Sequence, residues 1–228
     1  MSNTVQQPQR RISPGIVVVV ILVLALAAGV GVQYYRGHSK VSVSSNGRPE
    51  PALITGPGTS GKGVTVGKAG AKAHIDLYLD FRCPHCAEFE EASGATIDKL
   101  VQDGTATLTY WPMQFVNPNA SPRLANAFAA AAANGKALSF ADEMYGDFSK
   151  SWTTDQLLEL GKQLDIGDAK FQEAVQNNTY KDWLESVSKA ADDRGVTGTP
   201  TVYVNEKKLP TDQLTADGLQ KAVAGIAS

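Results

Sequence analysis

The stretch that decides the fold is Phe-Arg-Cys-Pro-His-Cys at residues 81–86. It places Cys83 and Cys86 three residues apart, which is the spacing of a Cys-x-x-Cys dithiol. The segment before it, residues 74–81, alternates apolar and polar side chains and predicts a β-strand. Apolar residues recur at helical spacing over residues 89–101. The dithiol is therefore expected between the end of a strand and the start of a helix.

This position gives the two thiols different chemistry. Cys83 is expected to be the N-cap and Pro84 the first helical residue, where the missing N–H costs nothing. The free N–H groups and the positive end of the helix then stabilise a Cys83 thiolate and lower its pKa. His85 is expected to stabilise the thiolate further. Cys83 would thus be the attacking and leaving sulfur, and Cys86 would resolve the mixed disulfide.

Acidic residues follow the motif at Glu88, Glu90 and Glu91, and they work against a thiolate unless their side chains point to solvent, as we expect. Two other uses of the thiols stay open. A structural bridge would close a loop too small to stabilise the fold much. A zinc site needs four ligands, and Cys83 and Cys86 with the histidine between them cannot all reach one ion, unless a dimer shares the metal. We therefore predict no metal and no organic cofactor.

The rest of the chain alternates strands and helices. A second strand is predicted at residues 105–111, helices over residues 120–195, a third strand at residues 201–205, and a last helix from about Thr215. This order indicates an α/β fold with helices on the faces of a sheet. His74 is expected on a strand surface, with no role as a ligand.

The dithiol motif, together with Gly-Thr-Pro-Thr-Val-Tyr-Val-Asn at residues 198–205, resembles the DsbA-like thiol–disulfide oxidoreductases of the thioredoxin superfamily. The most similar form is the membrane-anchored type of Gram-positive bacteria. The resemblance covers residues 63–228 and implies a thioredoxin-like fold with a helical domain inserted at about residues 113–196. It also implies that Pro200 is a cis-proline facing the disulfide and that Thr199 precedes it, both beside the bound substrate.

Two positions depart from the family pattern. Relatives often carry a buried carboxylate six residues before the first cysteine, where this chain has Leu77. Asp76 and Asp80 are expected on the other face of the strand, which leaves a proton relay without its usual group. Asn205-Glu206 replaces the frequent Asn-Gly after the third strand and suggests a longer or different turn.

The resemblance implies an enzyme that passes its disulfide to reduced, unfolded exported proteins. A DsbB-like or VKOR-like membrane protein would reoxidise it. One alternative is a reductase or isomerase outside the cytoplasm, for example in cytochrome c maturation. Another is a membrane-tethered binding or chaperone module in which the thiols are incidental. The net charge of −2 gives no support to nucleic-acid binding.

The amino-terminal region predicts a membrane anchor. Residues 13–35 contain no charge and are long enough to cross a bilayer as a helix, although a cleaved signal peptide is an alternative. Residues 36–62 are rich in Gly, Ser and Pro and are expected to be a flexible linker. Within them, Gly56–Gly63 nearly matches a phosphate-binding loop, but Gly63 stands where the hydroxyl residue is required.

Redox chemistry decides the predicted topology. An oxidising dithiol works only where thiols are not kept reduced, which is outside the cytoplasmic membrane. Residues 1–12 are therefore expected in the cytoplasm, and the domain of residues 63–228 outside it. The result is a single-pass cell-membrane protein with a cytoplasmic N-terminus.

Overall fold

The strand that leads into the dithiol lies in the middle of a six-stranded sheet in the computed structural model of the chain. Its parallel neighbour is the strand that follows the first helix, and its antiparallel neighbour is the strand that follows Pro200. The other neighbouring pairs are antiparallel. The order across the sheet is β1 (Leu53–Thr55), β2 (Val64–Gly67), β4 (Ala106–Pro112), β3 (Ala73–Leu79), β5 (Thr201–Val204) and β6 (Lys207–Lys208).

Helices follow β3, β4 and β6 along the chain, which confirms the predicted α/β class. The first and last helices pack against each other and against the sheet, while five helices lie between β4 and β5 and fall inside residues 113–196. The α-helices of the described residues are α1 (Pro84–Gln102), α2 (Ala120–Ala133), α3 (Ala137–Gly146), α4 (Thr154–Gln163), α5 (Ala169–Gln176), α6 (Lys181–Asp193) and α7 (Ala216–Ala227). The sequence pattern did not separate α3 and α5 from their neighbours.

The structure describes residues 49–227. The predicted cytoplasmic tail (1–12) and membrane anchor (13–35) lie outside the described residues. Within residues 49–227, none of the helices has both the length and the apolar character needed to span a bilayer.

The strand β3 is buried on both faces, which corrects the expectation of one polar face. Asp76 is 3% exposed and Asp80 is fully buried, although both alternate with apolar residues. The second face is covered because α6 packs on β4 and ends at Arg194, whose guanidinium lies 2.7 Å from the Asp76 carboxylate. His74 is partly exposed and pairs with Asp76 at 3.2 Å, so it belongs to this buried charge network rather than to an open strand surface.

The predicted linker (36–62) is partly folded, which corrects its boundary. Residues 53–55 form β1, paired with β2 at the edge of the sheet. The Glu50 carboxylate accepts hydrogen bonds from two N–H groups in the first turn of α3, at 2.9 and 3.1 Å. The Gly61 N–H and the Lys62 carbonyl both bind to α6. The glycines of this segment serve ordered turns, since Gly61 has a positive φ of 65°.

The turn at Asn205-Glu206 is short, contrary to the expectation of a longer connection. Both residues have positive φ, 46° and 67°, and they join β5 to β6 as a two-residue hairpin. The Asn205 amide binds the backbone of residues 72 and 74, which compensates for the unusual conformation. Glu206 adopts this conformation although it is not a glycine, and its carboxylate forms an ion pair with Arg194.

Two truncations test where the domain begins. A protein starting at residue 49 should keep the full melting temperature, because every contact described above is retained. A protein starting at residue 63 should be less stable by about 2 kcal/mol or more, because it loses the β1 pairing and the Glu50 cap. Thermal unfolding followed by circular dichroism measures both. Equal melting temperatures would show that residues 49–62 are a linker after all.

Candidate functional site

The dithiol occupies the first turn of α1, as the sequence predicted. Cys83 is the N-cap with extended backbone angles (φ −84°, ψ 118°), and Pro84 is the first helical residue. The Cys83 carbonyl accepts hydrogen bonds from the N–H groups of Cys86 and Ala87 at 3.1 and 3.2 Å. Both thiols are free in this structure. The Cys83 side chain therefore stands at the positive end of the helix, where an anion is favoured.

The Thr199–Pro200 loop faces Cys83 across the end of the sheet. The peptide bond between Thr199 and Pro200 is cis, which confirms the prediction. The Cys83 Sγ lies 3.3 Å from the Thr199 carbonyl oxygen, to which it donates a hydrogen bond as a thiol. Residues separated by 116 positions thus meet at the redox centre.

The two thiols have opposite acidities. A hydrogen bond from the Cys86 thiol lowers the pKa of Cys83 to about 5, helped by hydrogen bonds from Thr199 and from the backbone of Cys86 and His85. The same Cys83–Cys86 hydrogen bond, together with burial, raises the pKa of Cys86 far above that of an ordinary thiol. Cys83 is 5% exposed and Cys86 2%. The charge of the reduced pair therefore resides on Cys83, the thiol nearer the surface.

His85 is exposed beside the thiolate and is paired with Glu88 one turn later in α1. Its Nδ1 lies 3.0 Å from the Glu88 carboxylate. This contact, with a smaller contribution from the Cys83 thiolate, raises the pKa of His85. Glu88 was expected to point to solvent; it is exposed, yet its carboxylate favours a protonated imidazole next to Cys83.

Asp80 is a buried part of the site whose role the sequence did not reveal. It lies three residues before Cys83, and its carboxylate accepts hydrogen bonds from the N–H groups of Arg82, Phe115 and Val116. The sequence signal for this role was a polar residue at the end of a strand. Because Asp80 alternates with apolar neighbours, the pattern indicated instead that it lies on a face exposed to solvent.

Arg82 fastens the motif to the helical region. Its guanidinium donates to the carbonyl oxygens of Phe148 and Lys150 at 3.3 and 2.9 Å, and it lies 5.2 Å from the centre of the Phe148 ring. The loop after α3 is thereby held beside the redox turn. The sequence gave no reason to single out this arginine.

An apolar surface lies next to the redox turn. Phe115 and Val116 are 45% and 47% exposed, although their N–H groups bind the buried Asp80 carboxylate. Two large apolar side chains held out to solvent by an ordered backbone are a feature of contact surfaces.

One position singled out by the sequence is apolar in the structure. No group of three or more potential metal-binding side chains occurs in residues 49–227. Leu77, six residues before Cys83, is buried and apolar. The candidate site consists of Cys83, Pro84, His85 and Cys86 at the start of α1 and of Thr199 and Pro200 on the facing loop.

Alkylation tests the division of roles between the thiols. Iodoacetamide at pH 6 should modify Cys83 and leave Cys86 intact, because only Cys83 is a thiolate at that pH, and the rate should follow a pKa near 5. Mass spectrometry of peptides from the reduced protein measures both sites. Cys86→Ala should accumulate mixed disulfides with thiol substrates, and the matched Cys83→Ala should form none. Equal modification of both thiols would overturn the assignment.

Comparisons with known proteins agree with this geometry. The family model described as Thioredoxin matches residues 59–224. The thiol:disulfide interchange protein DsbA of Pectobacterium carotovorum is 25% identical over 158 residues, which cover 65% of this chain and 75% of that protein. The structure of MdbA, a thiol-disulfide oxidoreductase from Actinomyces oris, superposes with a TM-score of 0.64 at 25% identity and covers 77% of this chain and 95% of MdbA.

A sodium/proton antiporter, NhaA 3 of Salinispora tropica, is 30% identical over 145 residues. The match covers 62% of this chain but only 21% of the antiporter, so it concerns a small part of that protein. The family model covers well over half of the chain and includes both the dithiol and the cis-proline loop. The chain therefore belongs to the thioredoxin family, and within it to the DsbA-type disulfide oxidoreductases.

Proposed function

We propose that the protein oxidises thiols of exported proteins by thiol–disulfide exchange at Cys83. The observation that carries the proposal is the strongly stabilised Cys83 thiolate at the start of α1. A thiolate with a pKa near 5 is a good leaving group, and its stability favours the reduced state of the pair. Such a pair gives its disulfide readily to other thiols.

The exchange balances as follows. A substrate thiolate attacks Cys83 Sγ of the disulfide form, the Cys83–Cys86 bond breaks, and Cys86 leaves with the electron pair and takes up a proton. A second substrate thiolate then attacks the substrate sulfur of the mixed disulfide, and Cys83 leaves as a thiolate. The substrate has lost two electrons and gained a disulfide, and the protein holds the reduced pair.

Substrate contact is provided by two surfaces beside Cys83. The Thr199–Pro200 loop presents backbone groups to an extended chain in the manner of strand addition. Phe115 and Val116 offer apolar contact of the kind that an unfolded polypeptide exposes. Reduced, unfolded exported proteins combine both features, so we propose them as the substrates.

The reduced pair must return two electrons to an acceptor. By family resemblance we propose a DsbB-like or VKOR-like membrane protein linked to a quinone as that acceptor. Because an oxidising dithiol works where thiols are not kept reduced, we also propose that the domain lies outside the cytoplasmic membrane, tethered by residues 13–35 with residues 1–12 in the cytoplasm, as in the Gram-positive membrane-anchored type.

Fractionation tests the proposed anchor. The full chain should sediment with membranes and be degraded by protease added to intact spheroplasts, while a protein lacking residues 1–35 should be soluble and still carry a reactive dithiol. Cys83→Ala serves as the control for reactivity. A full chain found in the soluble fraction, or a domain protected from external protease, would contradict the proposed location.

Melting curves of the two redox forms test the direction of the reaction. In the reduced protein the pKa of Cys83 is about 5 in the folded state and ~8.5 in the unfolded state. The thiolate therefore stabilises the folded state fully above pH 8.5, and this stabilisation is lost as the pH falls toward 5. At pH 7, two pH units above the folded pKa, the contribution is about 3 kcal/mol. The reduced form should therefore melt above the disulfide form at pH 7, and the difference should vanish below pH 5.

The control for this experiment is His85→Ala, which removes the nearest cationic side chain and should shrink the difference at pH 7. The Cys83–Cys86 disulfide closes a very small loop, so it restricts the unfolded chain little and adds little stability in that way. A disulfide form that is clearly the more stable at pH 7 would contradict the oxidase and favour the reductase.

A further inference from the structure

Asp80 is the most completely bonded carboxylate next to the redox turn. Its side chain is fully buried three residues before Cys83, at the point where the chain leaves β3. Four donors reach its two oxygens. They are the Arg82 N–H at 2.8 Å and the Ser121 hydroxyl at 2.8 Å on Oδ1, and the Phe115 and Val116 N–H groups at 2.8 and 3.0 Å on Oδ2.

These donors belong to separate segments of the chain. Arg82 is part of the redox motif, Phe115 and Val116 lie in the loop after β4, and Ser121 lies in the first turn of α2. The main-chain carbonyl of Asp80 accepts two more hydrogen bonds, from the Cys83 N–H at 2.9 Å and from the Tyr145 hydroxyl at 3.2 Å. One residue therefore ties the redox turn to the loop after β4 and to the helical region.

The set of partners requires an ionised carboxylate. All four groups that bind the Asp80 side chain are donors. An ionised carboxylate has acceptors only, and its roughly four lone-pair positions match these four donors. An asparagine would turn its NH₂ group toward two of the donors and leave them unpaired in a buried place. Hydrogen bonds to an ionised acceptor are also stronger than neutral ones.

The negative charge of Asp80 and its hydrogen bonds to the redox turn have opposite effects on the pKa of Cys83. A buried negative charge close to a thiol disfavours its thiolate. Ionisable groups that the charge on Cys83 influences include Cys86 and His85 on α1 and Tyr145 on α3. If Asp80 acted by charge alone, its neutralisation would make Cys83 more acidic. If it acts by holding the redox turn in place, its neutralisation makes Cys83 less acidic.

We propose that Asp80 is the positioning residue of the redox centre and that its buried carboxylate holds Cys83 Sγ at the N-terminus of α1, beside the Thr199–Pro200 loop. The inference rests on the proposed disulfide exchange at Cys83. Without the four hydrogen bonds the turn that carries Cys83 moves away from the donors that stabilise its thiolate. The oxidising power of the pair then falls.

Asp80→Asn tests this directly, because it keeps the size of the side chain and replaces one of the two acceptor oxygens by an NH₂ group. The Cys83 pKa, followed by thiolate absorbance, should rise. The equilibrium with glutathione should shift about tenfold toward the protein disulfide, which corresponds to a potential about 30 mV more negative. Asn126→Ala is the matched control: it also removes buried hydrogen bonds, to Ala174 and Tyr180, but far along α2 from the redox turn. It should lower stability and leave the pKa and the potential unchanged.

Ser121→Ala supplies a milder variant in case Asp80→Asn does not fold. It removes one of the four donors and should shift the Cys83 pKa and the potential in the same direction by a smaller amount. A lowered Cys83 pKa in Asp80→Asn would show that charge dominates and would overturn the proposal. An unchanged Cys83 pKa and potential in Asp80→Asn would also overturn it. If Asp80→Asn does not fold, unchanged values in Ser121→Ala would overturn it instead. Both measurements use no protein substrate, so a wild-type protein that fails to oxidise substrates would contradict the proposed function and leave this inference standing.

Discussion

The register between β3 and β5 is the constraint on which the redox centre depends. Tyr78 pairs with Thr201, so the end of β3 and the start of β5 lie side by side. Cys83 follows the first strand by four residues, and Pro200 comes directly before the second. Because a slip of one residue turns every side chain to the other face of a sheet, this pairing is needed to place Thr199 beside the redox turn, where its carbonyl oxygen lies 3.3 Å from the Cys83 sulfur.

The site stabilises a negative sulfur inside an acidic protein by local dipoles. The hydrogen bonds to the Cys83 thiolate come from a thiol, a hydroxyl side chain and backbone N–H groups, and His85 is the nearest cationic side chain. Oriented dipoles of this kind act over a few ångströms and are held in place by the fold. The acidic side chains along α1 therefore reduce the stabilisation of the Cys83 thiolate only slightly. Glu88 even supports them indirectly, because it favours protonated His85.

The sequence predicted the parts of the site that depend on local chemistry. The N-cap role of Cys83 and the place of Pro84 follow from the local motif, the cis-proline was implied by the family resemblance, and all three are present. It did not predict the burial of Asp76 and Asp80, because alternation shows only that a strand has two faces. Whether the second face is covered depends on later segments: Asp76 is bound by Arg194 at the end of α6, about a hundred residues later, and Asp80 by the loop after β4 and by α2. The ordered half of the linker was missed for a related reason, since Glu50 is fixed by α3 and not by its neighbours.

The helical region has a mechanical role that its position in the chain explains. It is inserted between β4 and β5, and it reaches back to the redox turn at three points: the Phe148 carbonyl holds Arg82, the Tyr145 hydroxyl holds the Asp80 carbonyl, and Ser121 binds the Asp80 carboxylate. A sheet with α1 and α7 alone would leave the turn before Cys83 bound on one side only. Because the inserted helices bind it from the other side, the geometry around the thiolate is determined by contacts across the whole domain, and its acidity depends on residues that never touch the sulfur.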